Sequence, residues 1–147
     1  MADLTAVTVT FGSSETLGRT CASLARSIRE SSNFAVDHLV VTQPDEAGER
    51  ASVPSSAREI KVDENLGFAA ANNLAIEELT SEFIAVLNPD LELTEGWLDP
   101  LIEALNDPAV AIAAPVLLNN LFFFQAEDGI RDCLLSRGLG DVYKRQQ

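Results

Sequence analysis

The 147-residue sequence predicts an α/β domain, a mostly parallel central sheet covered by helices on both faces, and three observations carry that expectation. Short apolar runs alternate with stretches whose apolar side chains recur at three- and four-residue intervals. Glycine, proline and Asx clusters separate the two kinds of segment. The strand-then-helix order repeats along the chain, which is the pattern that winds a parallel sheet and leaves a ligand crevice beyond the carboxyl ends of its strands.

Ala6 to Phe11 reads as the first strand, with Val7 and Val9 between threonines, and Gly12 to Ser14 as the turn that ends it. Leu17, Cys21, Leu24, Ala25 and Ile28 then mark one face of a helix. Val36 and Leu39 to Val41 form the second strand. Gln43 to Pro54 is rich in turn formers and reads mainly as loop, with a short helix around Glu46 to Arg50, before a third strand over Glu59 to Val62.

Asn65 to Phe68 turns into a second helix over about Ala69 to Leu79, placing Asn72 or Asn73 toward the crevice. Phe83 to Leu87 is a strand, and Pro89 stops it by fixing its own φ and lacking an amide donor. Thr94 or Glu95 starts a third helix with Trp97, Leu98, Leu101, Ile102 and Leu105 on its buried side. Trp97 is expected to pack that helix on the sheet rather than to stack on a ligand. Pro108 ends the helix near Asn106, and Val110 to Ala113 is a further strand.

The net charge is -13. Taking away the four acidic and four basic side chains of residues 122 to 147 from the totals of 23 and 10 leaves 19 acidic against 6 basic in residues 1 to 121. Such a surface opposes binding to nucleic acid or anionic lipid, which use basic groups to neutralise phosphate. It does not exclude an anionic small ligand, because backbone dipoles and a divalent cation reverse the field locally. Cys21 and Cys133 are too few and too far apart for a zinc site or a disulfide scaffold, and Cys21 reads as a small buried helix side chain. The single His38 beside Leu39 and Val40 reads as an edge or core histidine rather than a base. The amino terminus lacks a signal pattern and no run approaches the roughly 20 apolar residues of a membrane span, so a cytoplasmic setting is expected.

Chemistry concentrates between Asn65 and Asp90. Asn65 both donates and accepts, and Gly67 permits a backbone approach closed to other residues; the alternative is a capped helix with Asn73 facing solvent. Asn88-Pro89-Asp90 follows an apolar strand directly. Taken alone it is an ordinary strand exit; with the upstream segment it becomes a candidate metal and diphosphate site.

The segments N-L-G-F-A-A-A-N-N (Asn65 to Asn73), F-I-A-V-L-N-P-D (Phe83 to Asp90), G-W-L (Gly96 to Leu98) and V-A-I-A-A-P (Val110 to Pro115), in this order, resemble the inverting GT-A glycosyltransferases of family 2, especially their rhamnosyltransferase-like branch. The resemblance covers residues 4 to 119 and implies a Rossmann-like nucleotide-binding domain, truncated before its acceptor half. It implies transfer of a hexose or deoxyhexose such as rhamnose, with inversion, from a nucleotide-diphosphate sugar to a cell-envelope polysaccharide or lipid-linked acceptor. The competing function is a noncatalytic nucleotide-sugar-binding module.

By resemblance, Thr10, Phe11 and Gly12 border the nucleotide, although Gly12 stands where asparagine is common. Thr42 or its backbone stands where the family often places an aspartate near the base, with Asp45 as an alternative for that role and ordinary strand-end capping as the alternative for Thr42. Asn65, Gly67 and Asn73 line the nucleotide-sugar pocket, Asn88 bonds the sugar or positions Asp90, and Asp90 binds Mg2+ or Mn2+. The expected partners are the donor and a saccharide or lipid-linked acceptor, with no nucleic acid. Peripheral association of the full-length parent with the inner face of the cell membrane is left open.

The family's catalytic base is expected in a later segment. Glu127, Asp128 and Arg131 imitate its letters, but Asp128 follows Pro115 by too short an interval for the intervening strands. Residues 122 to 147, with F-F-F-Q-A-E-D-G-I-R-D and V-Y-K-R-Q, resemble a translated sequencing adapter and are expected to be a non-native tail. Two consequences are expected: a bare sheet edge, and a chain inactive where its parent is active.

Overall fold

The computed structural model describes residues 3–12, 14–30, 34–116 and the strand 134–137. The elements are β1 (Leu4–Phe11), α1 (Ser14–Glu30), β2 (Val36–Gln43), β3 (Arg58–Lys61), α2 (Gly67–Glu77), β4 (Phe83–Leu87), α3 (Leu98–Leu105), β5 (Ile112–Ala113) and β6 (Leu134–Arg137). They form one sheet in the order β3-β2-β1-β4-β6-β5. β1 pairs in parallel with β2 on one side and β4 on the other, and β3 continues in parallel beside β2. β6 is antiparallel to both β4 and β5. The α/β architecture with a mostly parallel sheet is therefore the one the alternating pattern predicts.

Side-chain alternation divides the core into two layers. Leu4 and Ala6 of β1, with Ala85 and Leu87 of β4, pack against Leu24 of α1 and against Leu98, Leu101, Ile102 and Leu105 of α3. On the same face Val40 meets Leu17 and Cys21 of α1 and Ala51 of the following loop. The opposite face, Val7, Val9, Leu39, Val41 and Ile84, is covered by Ala71 and Ala75 of α2. Small alanines on α2 let that helix lie close to a sheet face rich in valine.

Two features differ from the sequence reading. No helix forms at 46–50: the Asp45 carboxylate accepts hydrogen bonds from the amides of Ala47 and Glu49, and Gly48 N donates to Asp45 O, closing a turn instead. The third helix starts at Leu98 rather than at Thr94 or Glu95, because Leu93 N and the Trp97 indole are tied to serines of α1. Trp97 packs against the core on the α1 and α3 face, as its place in the apolar pattern requires.

The outer edge of β4 is covered, not bare. β6 pairs with it along Phe83↔Arg137 to Val86↔Leu134, and β6 lies inside the segment read as a non-native tail. Ladder hydrogen bonds join backbone groups and select little among side chains, so a short strand of almost any origin satisfies such an edge. Glu127, Asp128, Arg131 and Cys133 lie outside the described residues. Among the described residues no helix is long and apolar enough to cross a membrane.

Candidate functional site

The four parallel strands end at Phe11, Gln43, Lys61 and Leu87 on one edge of the sheet. From β1 the chain winds to β2 and β3 on one side and then returns to place β4 on the other, so the strand order reverses between β1 and β4. A crevice opens at such a reversal beyond the carboxyl ends of the strands. Leu87 pairs with Thr8, so Asn88-Pro89-Asp90 emerges beside the last residues of β1. Two sequence-predicted groups, Thr10 to Gly12 and Asn88 to Asp90, thus meet at the switch point.

On β1, the Thr10 hydroxyl is buried and has no hydrogen-bond partner among the described residues, whereas Phe11 is 47% exposed at the strand end. Gly12 has φ +73, and a Cβ placed there would stand 3.2 Å from Asp45 Oδ2. Glycine is needed twice over, for the left-handed backbone and for the approach of the Asp45 loop. That approach is a physical reason for the departure from asparagine. It also brings Asp45, the alternative to Thr42, to the rim of the first loop.

Thr42 is fully buried, and its hydroxyl donates to Glu59 Oε1 at 2.8 Å. Its carbonyl accepts from Val62 N and from Arg50 Nη1. Arg50 also donates to the Val62 carbonyl and lies 3.6 Å from Asp63, so it staples the ends of β2 and β3. With hydroxyl and carbonyl both occupied, these bonds support a strand-end role for Thr42. Neither Arg50 nor Glu59 stood out in the sequence, since each lies in a polar stretch and acquires meaning only through the strand pairing.

Gln43, also missed, is buried at the end of β2 and accepts from Leu66 N at 2.8 Å, fixing the entry to α2. Asn65 is exposed, and its Oδ1 accepts from Gly67 N at 2.9 Å. Gly67 has φ +75 with open space around it, so it serves the turn and leaves room above. Of the two asparagines on α2, Asn72 is buried and Asn73 exposed. Asn72 Nδ2 donates to Phe68 O, while its Oδ1 is buried without a partner among the described residues.

Asn88 and Pro89 are half-buried and Asp90 is exposed. Beneath them the Thr20 hydroxyl of α1 lies 2.8 Å from Pro89 O and 2.9 Å from Leu91 O. The turn is held by its main chain and its carboxylate is left outward. Among the described residues no group of three or more His, Cys, Asp or Glu converges. A single carboxylate fits a Mg2+ or Mn2+ ion shared with donor phosphates and water, and does not fit a cation cage made by the protein alone.

His38 is away from this edge. Its Nε2 lies 2.9 Å from Thr8 Oγ1, and burial pushes its pKa down to about 4, opposed by the neighbouring Asp37 charge. A buried neutral ring bonded to the sheet is a core histidine. Burial likewise raises the Cys21 thiol, so it is a packed side chain rather than a ready nucleophile.

A model of the family described as glycosyl transferase family 2 matches residues 5–130, most of the chain. The chain belongs to glycosyl transferase family 2. The pre-mycofactocin glycosyltransferase of Mycobacterium tuberculosis is 38% identical over 53 residues, 36% of this chain and 11% of that protein. A Drosophila melanogaster protein, provisionally named as an inactive polypeptide N-acetylgalactosaminyltransferase 12, is 33% identical over 63 residues, 43% of this chain and 11% of that protein. The aligned parts thus span about a tenth of these curated relatives. Among solved structures, the mannosyltransferase PcManGT from Pyrobaculum calidifontis, in complex with GDP-Man and Mn2+, superposes with a TM-score of 0.60 at 20% identity, covering 78% of this chain and 35% of that one. This family 2 member therefore shares the GT-A fold with that enzyme.

Proposed function

We propose that residues 4 to 119 bind a nucleotide-diphosphate sugar at the reversal between β1 and β4, and that the parent protein transfers its sugar to a cell-envelope polysaccharide or lipid-linked acceptor. The observation that carries this reading is the meeting of Thr10 to Gly12 with Asn88 to Asp90 at the switch point, where the Thr10 hydroxyl is buried and has no partner among the described residues. The name of the Pyrobaculum enzyme, with GDP-Man and Mn2+, supports the same ligand class. Transfer of a hexose or deoxyhexose such as rhamnose, with inversion, rests on the resemblance of Asn65 to Asp90 to the rhamnosyltransferase-like branch.

Asp90 would hold a Mg2+ or Mn2+ ion, whose charge offsets that gathering on the departing diphosphate. Asn88 orients the sugar or Asp90, and Pro89 stiffens the turn. Thr10 and Phe11 border the nucleoside, Gly12 keeps the loop low beside Asp45, and Asn65 with Gly67 shapes the opposite wall. Asn73 joins that wall from its exposed position on α2. Thr42 takes part through its position at the strand end, with its hydroxyl held by Glu59. The base that deprotonates the acceptor is assigned to a segment outside residues 4 to 119, and residues 122 to 147 to a non-native tail resembling translated adapter.

A second reading, a noncatalytic nucleotide-sugar-binding module, is favoured by the inactive naming of the Drosophila relative. Calorimetric titration of the full chain with UDP-, GDP- and dTDP-sugars, with and without Mn2+, tests the shared part. Metal-dependent binding of one donor is expected. No binding by a folded sample in Mn2+ sinks both readings, and transfer by the parent protein separates them.

A further inference from the structure

We propose that Thr20 of α1 is a positioning residue that sets Asp90 for the metal-bound diphosphate; the proposal rests on the role given to Asp90 above. Thr20 is fully buried, and its Oγ1 stands 2.8 Å from Pro89 O, 2.9 Å from Leu91 O and 3.3 Å from Thr16 O. The Thr16 contact is the ordinary back-bond of a helical threonine. The two shorter contacts reach 69 and 71 residues along the chain. Their carbonyls lie on either side of Asp90, so one hydroxyl proton, shared between them, fixes the backbone before and after that residue.

A carboxylate on an exposed turn samples many orientations, and binding must restrict them. Pro89 already fixes one dihedral of the turn. Thr20 removes much of what remains without touching the carboxylate, which stays exposed. Removal of the hydroxyl leaves two part-buried carbonyls close together with the donor they share gone. Their repulsion and unmet hydrogen bonding turn the peptide planes flanking Asp90.

The same face of α1 continues the attachment. Ser23 Oγ accepts from Leu93 N at 3.1 Å while donating to Thr20 O, and Ser27 Oγ accepts from Trp97 Nε1 at 3.1 Å while donating to Leu24 O. Positions 20, 23 and 27 share one helical stripe and hold successively later residues of the 89–97 segment. Ser27 is the internal control, because it fastens the same segment far from Asp90.

The test uses the full chain, with calorimetric binding of UDP, GDP and dTDP in Mn2+ and in EDTA, alongside melting temperatures. Thr20→Val should weaken the Mn2+-dependent part of binding by on the order of tenfold, with metal-free binding unchanged. Thr20→Ser should restore it to within about threefold. Ser27→Ala should lower the melting temperature and leave the Mn2+ dependence intact. Unchanged Mn2+ dependence in folded Thr20→Val, or an equal loss in Ser27→Ala, overturns the proposal. If the valine variant does not fold, Thr20→Ser against Thr20→Cys makes the same comparison with a weaker donor. Should Asp90→Asn bind Mn2+ and nucleotide like the wild type, the Asp90 role itself fails; if Asp90→Asn loses binding and Thr20→Val does not, only the role of Thr20 fails.

Discussion

The two banks of the crevice are built on opposite plans. On the bank formed by the ends of β2 and β3, the polar side chains are themselves engaged: Thr42 by Glu59, Arg50 by two carbonyls, Asp45 by two amides. On the β4 bank the hydrogen bonds go to the main chain, through Thr20 to Pro89 O and Leu91 O, and the Asp90 side chain is outward. A group already satisfied inside the fold supports shape, whereas one whose backbone is held and whose side chain is free has its chemistry left for a ligand. By that criterion the metal and diphosphate chemistry proposed above belongs to the β4 bank, and the proposed nucleoside pocket takes its outline from the β2–β3 bank.

The strongest way to break this contrast is Asp90→Asn in the parent enzyme. Transfer should fall by on the order of a hundredfold or more, since charge stabilisation of the leaving diphosphate is worth several kcal/mol. The melting temperature should stay within about two degrees, because an exposed outward side chain contributes little to folding. Unchanged transfer at limiting metal removes Asp90 from the site.

His38, on the strand of the saturated bank, sharpens the comparison through pH. Its folded pKa of about 4 lies below the ordinary 6.5, so the fold keeps the ring neutral where the unfolded chain binds a proton. Its contribution is fully present above pH 6.5 and declines as pH falls toward about 4, by roughly 3 kcal/mol at most. Urea midpoints measured across that window should show this slope in the wild type and lack it in His38→Gln. Parallel slopes in the two proteins remove the burial argument.

Gly12→Ala is expected to destabilise by about 1–2 kcal/mol, combining a left-handed backbone with a contact against Asp45. Adding Asp45→Ala should recover the steric share and not the backbone share, as a double-mutant cycle in thermal unfolding resolves. Strict additivity would mean that the two loops do not touch. The smallest effect is expected from Thr42→Val, about 1 kcal/mol of stability from the lost bond to Glu59, with nucleotide affinity changed by less than about twofold. A tenfold loss of affinity there would place base recognition on Thr42 itself and collapse the contrast between the banks.

Much of this architecture was legible in the chain. Leu17, Cys21 and Leu24 mark the α1 face, β4 spans Phe83–Leu87 as its apolar run requires, and Pro89 ends it. These features are local, set by side-chain periodicity and by backbone restrictions within a few residues. The Asn88 to Asp90 turn was legible for the same reason. The missing helix at 46–50 was not, because Asp45 captured the amides that a helix would have used.

By itself, then, the sequence determined the order of strands and helices, the apolar faces that must meet, and the polar residues from which the proposed site is drawn. Only the tertiary structure decided which of those polar groups stay open. Thr42 is closed by Glu59, 17 residues away; Asp90 is set from below by Thr20, about seventy residues away; and the edge of β4 is closed by a strand from the far end of the chain. The physical reason is the reach of the interactions. Periodicity and turn chemistry act over a few bonds of chain, while a hydrogen bond between distant residues exists only after the sheet has paired and its helices have packed.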